Sequence, residues 1–205
     1  MDSFFDGVAA RWSAGQVDYH WHMLFDAGVV RRTLTEPYRG LTHRTGLAPV
    51  QPEWLHLTLL HSGAVTEISE EEISWVADRV RARCAMVPAG EITLRVPAVG
   101  SVGIGCAGVL GGGARGLWEL VCEASEEVLG QRFPRRPAVF VPHVALAYAT
   151  DRVDEAPLRA WLAGRDLAPV SLSVAAVSLV AQWHDMRFIT WRHVVDIPVG
   201  GRSSV

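Results

Sequence analysis

The sequence predicts an α+β fold built from short antiparallel strands and amphipathic helices. Stretches of strand length alternate with stretches of helical periodicity, and turns rich in glycine and proline separate them. There is also a weak internal repeat of element order, because a histidine-bearing strand followed by a helix occurs in each half of the chain. With 205 residues, the chain suits one domain or two lobes that share a core.

The first predicted elements precede residue 88. Strands are predicted over residues 19–25 and 54–60, with a helix opening in 28–35 and turns between 37 and 52. Ser69 and Glu72 have the spacing of a capping box, in which a serine N-cap and a glutamate three residues later satisfy the first backbone N–H groups. This predicts a helix from Ser69 to about Val87.

The remaining predicted elements end near residue 197. Three consecutive glycines at 111–113 predict a turn before a helix. The predicted strands cover residues 92–96, 102–110, 139–148, 170–180 and 188–197, the last two as a closing hairpin, and the predicted helices cover residues 117–129 and 155–162.

Composition and charge narrow the class of protein. The formal net charge is −3, so no general basic field attracts nucleic acid, and duplex DNA is not an expected partner. No apolar run approaches the length of a membrane span, and the N-terminus lacks the pattern of a secretion signal. Three scattered cysteines without a C-x-x-C pair favour a reducing compartment. These features predict a soluble cytoplasmic protein without a membrane partner.

Two similar tetrapeptides carry the candidate chemistry, His56-Leu57-Thr58-Leu59 and His143-Val144-Ala145-Leu146. In a strand, side chains at i and i+2 share a face, so His56 and Thr58 are expected to point together while the leucines pack behind them. Two such strands facing across a cleft would present two imidazoles to one phosphate. One neutral imidazole can accept a proton from the nucleophile, and one imidazolium can donate a proton to the leaving oxygen.

Other features allow other interpretations. A histidine on an apolar strand is more often a packing residue than a catalyst, and the match between the two tetrapeptides is the argument against that view. His20 and His22 share one strand face and could bind a metal, but no convincing carboxylate ligand is evident nearby, so no metal site is expected. Arg135 and Arg136 could steer a phosphate or lie in a solvated turn. Several aromatic residues could stack a base or belong to the core, namely Tyr19, Trp21, Trp183, Phe188 and Trp191.

The two tetrapeptides resemble the paired His-x-Thr/Ser-x signature of the two-histidine phosphoesterase superfamily. Their flanks, Pro52-Glu53-Trp54-Leu55 with Gly63 and Phe140-Val141-Pro142 with Leu146-Ala147-Tyr148, are similar to its bacterial 2′-5′ RNA ligase, or cyclic phosphodiesterase, branch. The resemblance implies a bilobal fold with two antiparallel sheets related by a pseudo-twofold axis and outer helices. It divides the chain into an N-terminal extension (1–16), one domain of two lobes (17–198) and a flexible tail (199–205).

The resemblance also implies an activity, a hydrolase without metal or cofactor. Its substrate would be the 2′,3′-cyclic phosphate or 2′-5′ phosphodiester of a nucleotide or RNA end, with His56 and His143 catalytic. The residues expected to contact substrate are Thr58, Ala145, Tyr148, His22 and His61.

The second tetrapeptide departs from the family pattern at Ala145, where Thr or Ser is usual. A methyl group cannot donate to a phosphate, and the loss of such a hydrogen bond costs roughly 1.5–3 kcal/mol. His61 and Tyr148 each follow a catalytic histidine by five residues. Strand parity places them on the opposite face unless the strand bends. The sequence therefore leaves a second hypothesis open, a catalytically weakened protein of the same fold that binds nucleotide or RNA ends.

Overall fold

The computed structural model describes residues 1–88, 90–132 and 139–200. Its strands are β1 (Asp18–Leu24), β2 (Leu47–Pro49), β3 (His56–Ala64), β4 (Glu91–Leu94), β5 (Ala98–Val99), β6 (Gly103–Leu110), β7 (His143–Ala149), β8 (Val170–Ser173), β9 (Ala176–His184) and β10 (Ile189–Pro198). Its α-helices are α1 (Phe4–Val8), α2 (Ala27–Val30), α3 (Arg39–Thr42), α4 (Glu70–Cys84), α5 (Gly112–Leu129) and α6 (Ala156–Ala163). A π-helical turn, Arg31–Thr35, extends α2.

The strands form two antiparallel sheets, which confirms the predicted α+β class. The first sheet has the order β10-β9-β1-β3, and the second has the order β2-β7-β6-β4-β8 with β5 paired to β6. Strand β3 lies at the edge of the first sheet, while β7 lies between β2 and β6 in the second. The two histidine-bearing strands therefore belong to different sheets, as the predicted two-lobed architecture requires.

The connection between β2 and β3 joins the two sheets close to both histidine motifs. Val50 follows β2 and donates its backbone N–H to the carbonyl of Leu146 in β7 at 2.9 Å. A single 3₁₀ turn, Pro52–Trp54, then leads directly into β3. Strand β2 pairs with β7, and only this short segment separates β2 from β3. The chain therefore holds the two histidine motifs near each other.

Helix α4 begins as the sequence predicts. The Ser69 hydroxyl accepts from the Glu72 N–H at 3.2 Å, and the Glu72 carboxylate accepts from the Ser69 N–H at 3.0 Å. The buried face of α4 consists of Ile73, Val76, Ala77, Val80 and Cys84. Capping and apolar periodicity thus agree, and this helix contacts both α5 and β10.

The turn predicted for the glycine run at residues 111–113 is wrong for Gly112 and Gly113. Gly111 is the N-cap of α5, and its N–H donates to Glu91 O at 3.0 Å, while the helix itself begins at Gly112. Helical glycine costs about 1 kcal/mol relative to alanine. Burial of the apolar face of α5 outweighs that cost, because Ala114, Leu117 and Val121 are fully buried.

The predicted closing hairpin is also corrected. Residues 170–180 do not form one strand: β8 pairs with β4 in the second sheet, and only β9 forms the hairpin with β10. The chain changes sheets between these strands, where Val174 N–H donates to Gly90 O and Ala175 N–H donates to Leu24 O. Periodicity predicts a strand but not the sheet to which each half of it belongs.

The segment before β1 folds back onto the domain. Phe5 of α1 is fully buried, and the N-terminal ammonium group lies 3.0 Å from the Glu155 carboxylate. Trp12 packs edge-on against His184, and the carbonyl of Trp12 accepts from His184 Nε2 at 2.9 Å. Residues 201–205 of the expected tail lie outside the described part of the chain. Within the described ranges, no helix combines the length and apolar character needed to cross a bilayer.

Candidate active site

The first histidine motif lies on the edge strand β3, against the central strand β1. His22 is opposite Thr58 in the ladder, and Leu24 is opposite His56. Paired residues in an antiparallel sheet project to the same face, so His56 and Thr58 share a face with His22 and, two residues earlier, His20. Leu57 and Leu59 are buried, and this confirms their expected place in the core.

An irregularity in β3 changes the predicted position of His61. The register pairs Trp21 with Leu60 and His22 with Thr58, so Leu59 has no partner. An unpaired residue of this kind is a bulge and reverses the alternation of side chains beyond it. Leu59 and Leu60 are both buried, and His61 returns to the face of His56, opposite His20. The parity argument that placed His61 on the far face is therefore wrong.

Strand β7 contains the same irregularity at the same place. Gly105 is opposite Ala145 and Ile104 is opposite Ala147, which leaves Leu146 without a partner. Tyr148 consequently projects to the face of His143 and Ala145, contrary to the expectation from parity. The burial patterns of residues 56–60 and 143–147 agree at every position except the exposed His143. The two halves are thus equivalent in backbone register as well as in sequence motif.

Both catalytic candidates are oriented by the same hydrogen bond. His56 Nδ1 lies 2.8 Å from the Trp54 carbonyl, and His143 Nδ1 lies 3.0 Å from the Val141 carbonyl. A carbonyl oxygen only accepts, so each Nδ1 carries the proton and donates. The Nε2 atom of each imidazole remains available to accept or donate a proton at a substrate.

Aromatic rings surround His56. The ring of His22 stacks on it with centroids 4.0 Å apart, and Trp191 meets it edge-on at 4.8 Å. Burial is the main cause that lowers the pKa of His56 to about 4; the nearby charge of a protonated His143 acts in the same direction, and the bond to Trp54 opposes it. His56 is therefore neutral at pH 7, the form that accepts a proton.

His22 lies behind the His56 imidazole. Its side chain is fully buried and stacked on His56. Burial lowers its pKa well below the ordinary histidine value, and neighbouring His56 and His20 lower it further. The predicted contact between His22 and substrate is not supported by this placement, because no part of His22 is exposed to the cleft.

Thr58 and Ala145 occupy corresponding positions and are both half-buried. The hydroxyl of Thr58 therefore has only a methyl group as its counterpart. Tyr148 packs against Phe4 and Phe5, with ring centroids 4.8 and 5.8 Å away, and burial raises the pKa of its phenol.

A cavity of about 230 Å³ adjoins the histidine motifs. Its lining residues are Val50, Gln51, Trp54, Tyr148, Asp185, Phe188, Ile189 and Thr190. The indole of Trp54 also meets Trp191 edge-on at 4.8 Å, so the cavity wall continues to the rings beside His56. The residues around the cavity thus come from three places: the segment before the first motif, the end of β7 after the second motif, and the turn into β10.

A family model described as the 2′-5′ RNA ligase superfamily matches residues 30–185. The chain belongs to this superfamily of two-histidine phosphoesterases. The matched region includes both tetrapeptides and most of the two sheets. No match was found among curated protein sequences.

Solved structures of other proteins share the fold. TT0787 of Thermus thermophilus superposes with a TM-score of 0.68 at 21% identity over 90% of this chain and 98% of that one. Apo LigT of E. coli gives 0.63 at 15% identity over 91% and 100%. LigT complexed with 3′-AMP gives 0.65 at 15% identity over 91% and 99%. These similarities confirm the predicted bilobal two-histidine phosphoesterase fold.

The structure divides the aromatic candidates of the sequence between the site and the core. Of the candidate stacking residues, Phe188 lines the cavity and Trp191 contacts His56, while Tyr19 and Trp21 are buried on the opposite face of β1. The sequence signal for Trp54 was its position two residues before His56. Arg135 and Arg136, considered for steering a phosphate, lie outside the described residues.

Proposed function

We propose that this two-histidine phosphoesterase opens the 2′,3′-cyclic phosphate of a nucleotide or RNA end, or acts on a 2′-5′ phosphodiester, without a metal ion. The observation that carries this proposal is the matched pair of Nδ1–carbonyl hydrogen bonds, which leaves Nε2 of His56 and Nε2 of His143 available on equivalent strands. A single basic or acidic group would not serve both ends of an in-line displacement, whereas two imidazoles do.

The proposed reaction uses the two histidines in opposite protonation states. His56 Nε2 accepts a proton from water as the water oxygen bonds to phosphorus. The bond between phosphorus and the ribose O3′ breaks, and His143 Nε2–H donates a proton to that oxygen. The product is a 2′-phosphate monoester. When a 5′-hydroxyl replaces water as the nucleophile, the same step forms a 2′-5′ phosphodiester as the P–O3′ bond breaks. In the reverse step the 3′-hydroxyl attacks, O5′ leaves with a proton, and the two histidines exchange roles. Low pKa and burial favour His56 as the base.

The surrounding residues support binding of a nucleotide phosphate. The Thr58 hydroxyl shares the face of His56 and is the proposed donor to a non-bridging oxygen. On β7, Tyr148 shares the face of His143, and its phenol hydroxyl is the proposed counterpart of the Thr58 hydroxyl. His61 lies farther along β3, and its Nε2 lies 2.8 Å from an Asp18 carboxylate oxygen. Thr58 is therefore the residue of β3 that we propose contacts the phosphate beside His56.

We assign the cavity beside Trp54 to the nucleobase. Its volume of about 230 Å³ and its Trp54 and Phe188 walls suit a flat aromatic ring, and stacking on aromatic side chains is largely independent of base identity. LigT structures have been determined with 3′-AMP, ATP and NADP⁺. These complexes support a nucleotide as the ligand class.

The test is hydrolysis of 2′,3′-cyclic nucleotides by the wild-type protein and by His56→Ala and His143→Ala, each with and without a chelator. We expect turnover that the chelator leaves unchanged, and a loss of about 10²–10⁴-fold in each variant because each removes a proton-transfer group. His193→Gln is the matched control, since His193 is an exposed histidine of the same sheet paired with Asp196. Turnover that survives both alanine variants, or that requires added metal, would refute the proposal.

The departure at Ala145 favours a second candidate function, binding of the same RNA or nucleotide ends with little turnover. Its half-buried methyl group replaces the hydroxyl that Thr58 presents on the other strand. Equilibrium binding of a 2′-phosphate nucleotide distinguishes the candidates. Binding in the micromolar range without measurable turnover of the cyclic substrate would support this second function, and efficient turnover would exclude it.

A further inference from the structure

A second cluster of titratable side chains lies on the same sheet face, beyond His22. It consists of Asp18, His20 and His61, whose nearest ligand atoms lie within 4.8 Å of one another. Asp18 and His20 share a face of β1 because they are two residues apart. His61 joins them from β3 because the bulge at Leu59 returns it to that face, opposite His20.

The ring of His20 has no hydrogen-bond partner within the described part of the protein. Both ring nitrogens of His20 are buried and have no hydrogen-bond partner. A buried polar atom without a partner is costly, so a native structure usually supplies something to satisfy it. His61 stacks on the His20 ring at 4.6 Å between centroids and Trp12 lies tilted beside it at 5.9 Å, so a ligand would reach either nitrogen in the plane of the ring.

Asp18 is held in position for ligation. Its side chain is only 2% exposed, yet no lysine or arginine pairs with it among the described residues. Gln16 Nε2 donates to Asp18 Oδ1 at 2.9 Å, while Oδ2 faces His61 Nε2 at 2.8 Å. Ligating carboxylates are themselves hydrogen-bonded by outer groups, and the Gln16 amide is such a group, while Oδ2 would exchange its contact with His61 for an ion.

We propose that Asp18, His20 and His61 form a binding site for a divalent transition-metal ion such as Zn²⁺. Two imidazole nitrogens and one carboxylate oxygen suit zinc and its neighbours, whereas Mg²⁺ and Ca²⁺ prefer sites built from oxygen. Ligand bonds of about 2.0–2.2 Å in a tetrahedral site place ligand atoms roughly 3.3 Å apart. Ligation therefore requires the three atoms, now within 4.8 Å of one another, to draw together by side-chain rotation.

The position of the site indicates a structural role. His22 lies between the cluster and His56, with ring centroids 5.8 Å from His20 and 4.0 Å from His56. An ion at Asp18 would tie β1 to β3, and the His61 side chain, 50% exposed, gives access from solvent for the ion and for a water as fourth ligand. The sequence argument against a metal rested on the lack of a nearby carboxylate, and Asp18, two residues before His20, supplies it. The inference does not depend on the proposed phosphodiesterase activity.

The experiment titrates the metal-free full-length protein with Co²⁺, followed by visible absorption, and with Zn²⁺, followed by calorimetry. We expect one ion per chain, a tetrahedral cobalt spectrum and a higher thermal unfolding temperature when the ion is bound. His20→Gln and Asp18→Asn should each weaken Zn²⁺ binding at least about tenfold, since each removes one of three ligands. His61→Gln changes an exposed side chain and tests the site without disturbing the core.

His193→Gln is again the matched control, because His193 and Asp196 form a histidine–aspartate pair on this sheet, 2.8 Å apart, with no third ligand in the described cluster. It should bind Zn²⁺ as the wild type does. Absence of stoichiometric Co²⁺ or Zn²⁺ binding to the folded wild type would overturn the proposal. So would binding that His61→Gln leaves unchanged and His56→Ala abolishes, because that result would place the ion on the catalytic pair.

Discussion

At His56, the environment rather than the residue type determines the protonation state. Stacking on His22 and contact with Trp191 remove part of the ring from solvent, so the charged form is disfavoured. The backbone bond to Trp54 fixes the tautomer and directs Nε2 away from the strand. His143 has the equivalent bond but is exposed, so the two imidazoles begin catalysis from different surroundings.

This asymmetry predicts the pH dependence of hydrolysis. A general base works in its neutral form, and burial places the pKa of His56 at about 4. We expect kcat/KM for cyclic phosphate opening to fall on the acid side through about pH 4, far below the value of about 6.5 for an unperturbed histidine. The measurement is a pH–rate profile with circular dichroism at each pH to confirm folding. An acid limb centred near pH 6.5 would contradict the assignment of His56 as base.

Ala145 gives a second prediction at the scale of one residue. Ala145→Thr restores a hydroxyl at the position equivalent to Thr58, and we expect kcat/KM to rise about ten- to hundredfold, the equivalent of roughly 1.5–3 kcal/mol for a hydrogen bond to a charged group. The reciprocal variant Thr58→Ala should lose a similar factor. Steady-state kinetics of both variants provides the measurement. No gain in Ala145→Thr would mean that another donor, such as Tyr148, already takes that place.

Among the elements, the paired bulges in β3 and β7 determine which side chains reach the cleft. Without the unpaired Leu59 and Leu146, His61 and Tyr148 would face the core. In the second sheet the bulge depends on glycine, because β6 approaches β7 too closely for a side chain. A Cβ on Gly103 would lie 2.5 Å from the Ala147 carbonyl oxygen, and one on Gly105 would lie 2.8 Å from that of Val144.

We therefore predict that Gly103→Ala and Gly105→Ala each destabilise the fold. The atoms in the way belong to the backbone, so the strands must separate, at a cost of about 1–3 kcal/mol in the free energy of unfolding. Urea denaturation measures this change. Gly112→Ala is the control, since no atom lies within 4 Å of its Cβ at the start of α5 and alanine favours the helix there. Equal stability of Gly103→Ala and Gly112→Ala would contradict the prediction.

Local sequence patterns predict part of the site, whereas features that depend on the pairing of distant strands cannot be predicted in this way. The tetrapeptides at His56 and His143 and the capping box at Ser69 are local patterns, and the sequence alone indicates them. A bulge is a property of two paired strands, so no count along β3 reveals that His61 turns toward His56. The division of residues 170–180 between two sheets is equally non-local. Asp18 stands only two residues before His20, but its contact with His61, 43 residues away, is non-local as well.

Across the whole molecule, the first sheet carries an unusual concentration of histidine on its inner face. His22 is fully buried there and His20 and His56 are half-buried, and desolvation lowers the pKa of each. Asp18 is the carboxylate in contact with this group; burial raises its pKa, but hydrogen bonds from His61 and Gln16 outweigh that effect and hold it below its ordinary value. The folded state therefore favours the neutral form of these three imidazoles.

This arrangement predicts a loss of stability in mild acid. When the folded pKa of a histidine is lower than the unfolded value, the unfolded chain binds a proton first as the pH falls, so stability decreases from about pH 6.5 toward the folded pKa. For His56, a shift from 6.5 to about 4 amounts to about 3 kcal/mol once the pH reaches 4. His20 and His22 add to the loss in the same direction. Urea denaturation of the metal-free protein between pH 7 and pH 4 measures it.

His56→Gln separates this histidine effect from general acid denaturation. The variant lacks the titrating ring, so its free energy of unfolding should fall less between pH 7 and pH 4 than that of the wild type, even where its stability at pH 7 is lower. His43→Gln removes an exposed histidine outside this sheet, whose charge is not among those acting on His20, His22 or His56, and its stability should fall in parallel with that of the wild type. If all three proteins lost stability in parallel, the acid sensitivity would arise elsewhere in the molecule, and the neutral state of His56 would not limit the stability of the fold.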